Sequence, residues 1–427
     1  MGLILLCLVT AAYCMFGKRL EQTMVTGPMI FIALGVVLNQ AGLYDAVYGE
    51  EALHVVAELA LILLLFLDAA QTNLRVLARS HQWPVRMLLL GLPLAWLLGA
   101  GAIHLILPDW PLIFALLMAA ILTPTDAALG QAVVSNPDVP ERPRRALTVE
   151  SGLNDGLALP LILLLASIAG SIVTHDARDW AVFGLKQLTL GPLAGIAIGW
   201  LGGRVLIWAK NTHATSKAYE GIGAIALATG TYLLADLIGG NGFIAAFTGG
   251  LVFGHVVKDR CHFVYEFTEN EGQMLAWGAF FLLGVTLVPD ALPHLGLGEL
   301  AVILASLFIT RPLAIWLSLA GTDAAPMTKI FFGWFGPRGL ATALFAFTVM
   351  PDIGAEWGER ILYLAINTVW ISALLHGLTA VPAARAYAAR LSELTPKAEL
   401  APIKASAKPL RTRNLPPRNA PRSGDDP

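Results

Sequence analysis

Charge is scarce in this chain: Asp, Glu, Lys and Arg make up 14% of its 427 residues, against about 25% in an ordinary soluble domain. That is too little to cover the surface of a soluble enzyme of this length. An excess of one sign is also missing, since 28 Lys and Arg face 30 Asp and Glu. The basic footprint of a nucleic-acid binder is therefore absent. Three cysteines, Cys7, Cys14 and Cys261, give neither a disulfide framework nor a paired metal motif. No nucleophile elbow or His/Cys/Asp metal spacing supports a membrane enzyme. Gly221-Ile-Gly223-Ala-Ile-Ala226 mimics a dinucleotide fingerprint, but it lies in an apolar run with no strand before it. What the chain has in plenty is apolar surface: 56% hydrophobic residues and a mean hydropathy of +0.67. That apolar content excludes disorder for most of the chain. The chain reads as an integral membrane protein, and the few charges inside its spans should carry its function.

A bilayer-crossing helix needs about 20 mostly apolar residues. On that measure the chain divides into about thirteen spans, near 2–16, 25–40, 52–70, 84–107, 111–134, 145–172, 181–208, 218–237, 242–257, 271–288, 299–320, 327–350 and 360–383. The first is short, yet no basic residue precedes it, and Lys18 and Arg19 follow. A signal peptide has the opposite order, so this reads as a retained helix with the N-terminus outside. With alternating spans, 23 of the 28 cations fall in inner loops or the tail. Three (Arg178, Lys186, Arg360) fall in outer loops, and two (Arg311, Arg338) fall inside spans. An inside excess of this kind fits both the span count and a cytoplasmic C-terminus.

Residues 1–389 therefore read as one transmembrane domain. Residues 390–427, rich in proline and basic residues, read as a disordered cytoplasmic tail. Gly191, Gly195, Gly199 and Gly203 stripe one face of their span, which points to close helix packing. Cys7 and Cys14 read as space-filling residues of the first helix. His104, His255 and His376 lie near span ends and read as interfacial or internally satisfied.

A charge at mid-bilayer costs roughly 2.5–3.5 kcal/mol on insertion scales. Seven groups stand in the spans nonetheless: Asp68, Asp126, Glu150, Asp155, Asp236, Arg311 and Arg338. Thr123-Pro124-Thr125-Asp126 should break its helix at mid-membrane, because proline removes a donor and clashes with the preceding turn. A bare proline kink is the plain alternative, but Asp126 sits directly at the break. Freed backbone groups at that depth belong in a cavity or against protein, and half-helix ends are a common way to build an ion site. In the next span, Ser151 and Asp155 share one helical face, and Glu150 and Asn154 share an adjoining stripe. Phe335-Gly336-Pro337-Arg338-Gly339 interrupts a second span in the other half of the chain. Two interrupted spans in opposite halves point to an inverted-repeat transporter with its site near the midplane. Thirteen spans fit as two six-helix repeats joined by a linking helix. Arg311 needs an anion, and Glu150 is the candidate. A channel would need a continuous selectivity lining, so alternating access is favoured.

Leu122-Thr-Pro-Thr-Asp-Ala-Ala128, Glu150-Ser-Gly-Leu-Asn-Asp-Gly156 and Phe335-Gly-Pro-Arg-Gly339 resemble the signature segments of NhaP-type sodium/proton antiporters. Asp68, within Leu-Phe-Leu-Asp-Ala, matches an acidic position on their third helix. The likeness runs in order over residues 1–385. It implies an all-α fold of thirteen helices with two broken helices crossing at the midplane, a homodimer, and a core that moves against a dimerisation domain. It implies Asp155 as carrier of cation and proton, with Thr125 and Ser151 as further oxygens and Asp126 acting through water or by orienting neighbours. Glu150 and Arg311 would form a structural ion bridge steadied by Asn154, and Arg338 matches the family's arginine on the second broken helix. Asp68 departs from relatives that carry glutamate, and its shorter reach weakens the case for direct ligation. The resemblance implies no enzyme activity and no cofactor beyond the transported ions. It implies exchange of Na+ (or Li+) for H+, with K+/H+ exchange on the same scaffold as the alternative. Because one titratable carrier stands beside Asn154, the exchange should be electroneutral and one-for-one.

Overall fold

Long apolar runs leave the backbone no water to bond, so each run must close its own hydrogen bonds as a helix. The computed structural model has helix over every apolar run named above. It describes residues 2–20, 23–43, 49–71, 82–134, 136, 138–174, 177–257, 262–394 and 398–399. Cys261 and residues 400–427 of the tail lie outside these. In chain order the helices begin with α1 (Gly2–Leu20), α2 (Gly27–Gln40), α3 (Gly49–Gln71), α4 (Gln82–Ile106) and α5 (Leu112–Ile121). Next come α6 (Ala127–Val134), α7 (Glu141–Thr174), α8 (Ala177–Asn211), α9 (Lys217–Leu237) and α10 (Gly242–Val257). The last are α11 (His262–Ala291), α12 (Leu297–Ser318), α13 (Pro326–Trp334), α14 (Leu340–Val349) and α15 (Ala355–Leu394). Among the described residues six helices are long and apolar enough to cross a bilayer by themselves. Others are shorter, and two of the expected spans are each made of two half-helices, α5 with α6 and α13 with α14.

Proline explains the irregular places. Pro124 lacks an N–H and disfavours helix at the residue before it, so α5 stops and α6 restarts at Ala127. Pro337 does the same between α13 and α14. Pro93 and Pro312 instead stay inside α4 and α12. Each is preceded by a π-turn, Met87–Gly91 and Ser306–Thr310. A helical proline clashes with the carbonyl four residues back, here Leu89 and Phe308. Both residues lie within the π-turns, whose wider loop relieves that clash.

The helices pack as two groups. One holds α2, α3 and α8–α11; the other holds α4–α7 and α12–α15. In the first group backbones meet directly. A Cβ at Gly35 of α2 would strike the α11 backbone near Gly284, and one at Gly284 would strike Ile32. Likewise Gly250 and Gly254 of α10 face the backbones of Phe66 and Ala70 in α3. The glycine stripe of α8 packs as expected, with Gly195 and Gly199 against α10 at Ala245 and Gly249.

At the end where α7 begins and α15 finishes, a satellite core of Trp83, Phe331, Phe332, Ala384 and Tyr387 ties α4, α13 and α15 together. Arg142 stacks 3.9 Å over the Trp83 ring and pairs with Asp323 at 2.9 Å. Glu399 is buried here, its Oε1 accepting from the Ala325 N–H at 2.8 Å and the Thr328 hydroxyl at 2.7 Å. α15 continues to Leu394, so the boundary drawn at residue 390 falls inside a helix. The aliphatic and aromatic face at Tyr387 and Leu391 is what holds those extra turns. Cys7 and Cys14 are exposed on α1 and do not fill core space.

Candidate functional site

The two breaks face each other, and each satisfies the other's freed backbone groups. Asp126 N–H donates to the Pro337 carbonyl at 2.8 Å. The Asp126 carboxylate accepts from Leu340 N–H at 2.9 Å through Oδ2 and from Leu129 N–H at 3.4 Å through Oδ1. One buried anion thus sits at the N-termini of both α14 and α6, where helix dipoles favour negative charge. Arg338 does the converse. Its Nη1 donates to the carbonyls of Thr123 and Pro124, at the C-terminal end of α5, and Nη2 reaches Ser306 Oγ in the π-turn of α12 at 3.5 Å. Beside it a cavity of about 10 Å³, lined by Thr123, Ser306, Thr310 and Arg338, has room for about one water.

The motif Phe335-Gly-Pro-Arg-Gly339 gains a physical reading from these contacts. A Cβ at Gly336 would lie on the Arg311 guanidinium, and a Cβ at Gly339 would lie on the Asp126 carboxylate. Both glycines are seats for charged groups that arrive from other helices.

Glu150 is 3% exposed and pairs with Arg311, itself 3% exposed. Arg311 Nη1 donates to Glu150 Oε1 at 3.2 Å and Nη2 to Oε2 at 3.1 Å. Two parallel bonds of this kind fix orientation as well as charge. Asn154 Nδ2 braces the pair, donating to Glu150 Oε1 at 3.3 Å and to Thr125 Oγ1 at 2.6 Å. Thr125 Oγ1 lies 3.1 Å from Ser151 Oγ and 3.5 Å from Glu150 Oε2. The structure therefore brings Thr125, Glu150, Ser151, Asn154 and Arg311 into one hydrogen-bonded group.

Asp155 stands one turn beyond Ser151 on α7, within electrostatic reach of Asp126, Asp68 and Glu150. Its Oδ1 is buried with no hydrogen-bond partner among the described residues. Asp68 projects from α3 against α7, where a Cβ at Gly152 would lie 3.2 Å from the Asp68 Cβ. Asp236 is exposed in the last turn of α9. Among the described residues no group of three or more His, Cys, Asp or Glu is placed to hold a metal ion. Chemically, the arrangement offers an uncompensated carboxylate oxygen and two hydroxyls, which are hard ligands suited to a small hard cation.

Sequence reasoning missed part of this. The acceptors of Arg338 are main-chain carbonyls, which no side-chain pattern reveals. Asp126 serves as a double cap, a role visible only once both breaks meet. His376, read as interfacial or internally satisfied, is 2% exposed and satisfied by Ser372 and Trp334, but its place at the second break was not foreseen. The i, i+4 pair Ser372–His376 in an apolar helix was the available signal, while His104 and His255 are exposed near helix ends.

Residues 4–386 match the family described as sodium/hydrogen exchanger, transmembrane. The chain is 27% identical over 374 residues to the K(+)/H(+) antiporter NhaP2 of Shewanella oneidensis, a match covering 84% of this chain and 62% of that protein. It is 26% identical over 373 residues to the K(+)/H(+) antiporter NhaP of Alkalimonas amylolytica, with the same coverage of 84% and 62%. The match thus spans about 62% of the length of these curated relatives. The fold superposes on the sodium proton antiporter MjNhaP1 of Methanocaldococcus jannaschii, solved at pH 8. The TM-score is 0.72 at 20% identity, over 91% of this chain and 100% of that one.

Proposed function

The chain belongs to the sodium/hydrogen exchanger family, and from that membership we propose that it exchanges a monovalent cation for a proton across the cytoplasmic membrane. Asp155 carries either ion in turn. The observation that supports this reading most directly is Asp155 Oδ1, buried and, among the described residues, without a donor, on the helix face that also presents Ser151. A bare anion there is costly. A proton neutralises it, and so does a cation held jointly with the Thr125 and Ser151 oxygens. The two loads compete for one oxygen set, so release of one admits the other. Asp126 and Arg338 hold the two breaks in register, and Glu150 with Arg311 and Asn154 fixes Thr125. Asp68 joins the ion-binding region from α3, against Gly152 of α7.

Two cations fit this reading, sodium (or lithium) and potassium. The curated relatives are named for potassium and the structural neighbour for sodium. On this reading the protein is a multi-pass homodimer with its N-terminus outside and its C-terminus cytoplasmic, and its exchange serves pH homeostasis. The loop charges support that orientation. Two inverted six-helix repeats joined by α8 make up the layout. Its support is the pairing of one π-turn helix and one broken helix in each half, together with the matching glycine contacts of α2 on α11 and α10 on α3.

The test is proton release from inverted membrane vesicles with sodium, lithium and potassium as drivers. A saturable, cation-driven proton flux is expected. A flux that does not saturate would indicate a channel, and no flux with any of the three would overturn the proposal.

A further inference from the structure

The second break leaves backbone groups on both sides without helical partners, and α15 supplies partners from two residues one turn apart. Arg338 N–H donates to Ser372 Oγ at 2.7 Å. Ser372 Oγ lies 3.1 Å from His376 Nδ1. His376 Nε2 lies 2.9 Å from the Trp334 carbonyl, on the far side of the break. With its hydrogen on Nε2, the neutral ring donates to the Trp334 carbonyl. In neutral imidazole Nδ1 accepts the Ser372 hydroxyl proton. In imidazolium it donates to the Ser372 carbonyl, 2.9 Å away. Both protonation states keep the bond to Trp334. The ring is also fixed by stacking on the Trp334 indole, with centroids 4.8 Å apart, and that indole donates to Thr379 Oγ1 at 3.0 Å. Ser372 is 0% exposed and His376 is 2% exposed.

We infer that His376 is a positioning residue for the cation site. With Ser372 it splints residues 334–338, and so sets where the Arg338 guanidinium meets the Thr123 and Pro124 carbonyls beside Thr125. The inference rests on reading Asp155 and its hydroxyl neighbours as that site. Partners one shell out from an ion site typically change affinity by about 10- to 100-fold.

The experiment compares the full-length protein with H376L, H376Q and S372A. It follows the rise of the melting midpoint in detergent with added sodium, lithium or potassium, which reports cation binding without transport. Proton flux is read on the same variants in proteoliposomes. H376L and S372A should raise the half-saturating cation concentration about tenfold or more. H376Q keeps a donor for Trp334 and an acceptor for Ser372, and should restore most of the affinity. Half-saturation unchanged in S372A and in H376L overturns the inference, as does H376Q binding no better than H376L. Where H376L does not fold, S372A and H376Q decide. A wild-type protein whose melting responds to none of the cations also overturns it. A wild-type protein that binds a cation but drives no proton flux overturns the antiport reading alone, and leaves the His376 comparison legible.

Discussion

Among the described residues no donor meets Asp155 Oδ1, and leaving a buried carboxylate oxygen so costs free energy. A purely structural aspartate would have acquired a partner. Asp155→Asn should therefore abolish cation-driven proton flux while leaving the protein folded, as checked by vesicle flux alongside size-exclusion chromatography. Continued flux in that variant would refute the carrier assignment. Glu150 and Arg311 are the opposite case, two buried charges satisfied mainly by each other. Such pairs stabilise little against an apolar replacement, yet stranding one partner costs about 3–5 kcal/mol. Glu150→Arg or Arg311→Glu alone should depress expression and melting temperature far more than the double reversal does. Equal damage from all three would refute direct pairing. Both features were legible in sequence, because a carboxylate or guanidinium inside an apolar run has few explanations. The partners of Arg338 were not legible: they are carbonyls on a segment more than two hundred residues away, joined to it only by tertiary approach.

Among elements, apolar runs located every helix, and Pro124 and Pro337 marked both breaks, but α11 begins well before its run, at His262, and α15 continues well past its run, to Leu394. The π-turns of α4 and α12 escaped notice, since a proline in an apolar helix can kink, break or widen it, and the neighbouring helices decide which. Loops joined by ionic contacts were equally invisible. Between α12 and α13, burial would raise the Asp323 carboxyl, but hydrogen bonds from Arg142 and Trp83 outweigh it and hold the group below the usual carboxylate range. A depressed folded value gives stability that is fully present above the unfolded value of about 3.9. That stability is lost as pH falls through the folded value. The melting midpoints of wild type and Asp323→Asn should differ by a constant, small amount above about pH 5, and converge as the pH drops below about 4. The side chain is 51% exposed, so solvent screening keeps the difference small. A gap that widens on acidification would contradict the pairing.

For the molecule as a whole, the contrast lies between its two helix groups. α2 meets α11, and α10 meets α3 and α8, backbone to backbone at glycines, which makes a stiff frame. Across the seam to the other group, side chains mediate: Asn367 Nδ2 donates to the Ala291 carbonyl at 2.7 Å, and Phe247 covers Gly156. A seam of that kind can shift where the frame cannot, which suits movement of the group carrying Asp155. If that movement carries only a neutralised site, no net charge crosses the field. One charge crossing would be worth about 2.3 kcal/mol per 100 mV. Exchange in proteoliposomes should therefore run at the same rate with the potential clamped or imposed, and a rate that scales with potential would sink one-for-one exchange. The grouping itself was not readable beforehand. Hydropathy counts helices one at a time and says nothing about which of them touch.

The two occupied seats in the second break also bear on what this lineage can become. At Gly336 and Gly339 the limit is volume, already taken by Arg311 and Asp126, so no chemical character in a replacement side chain can help. A saturation library selected for exchange should return glycine alone at both positions. Gly101, Gly130 and Gly223, with open space around them, should accept alanine and serine. The crossing of the breaks is then a fixed point around which the remaining helices are free to drift.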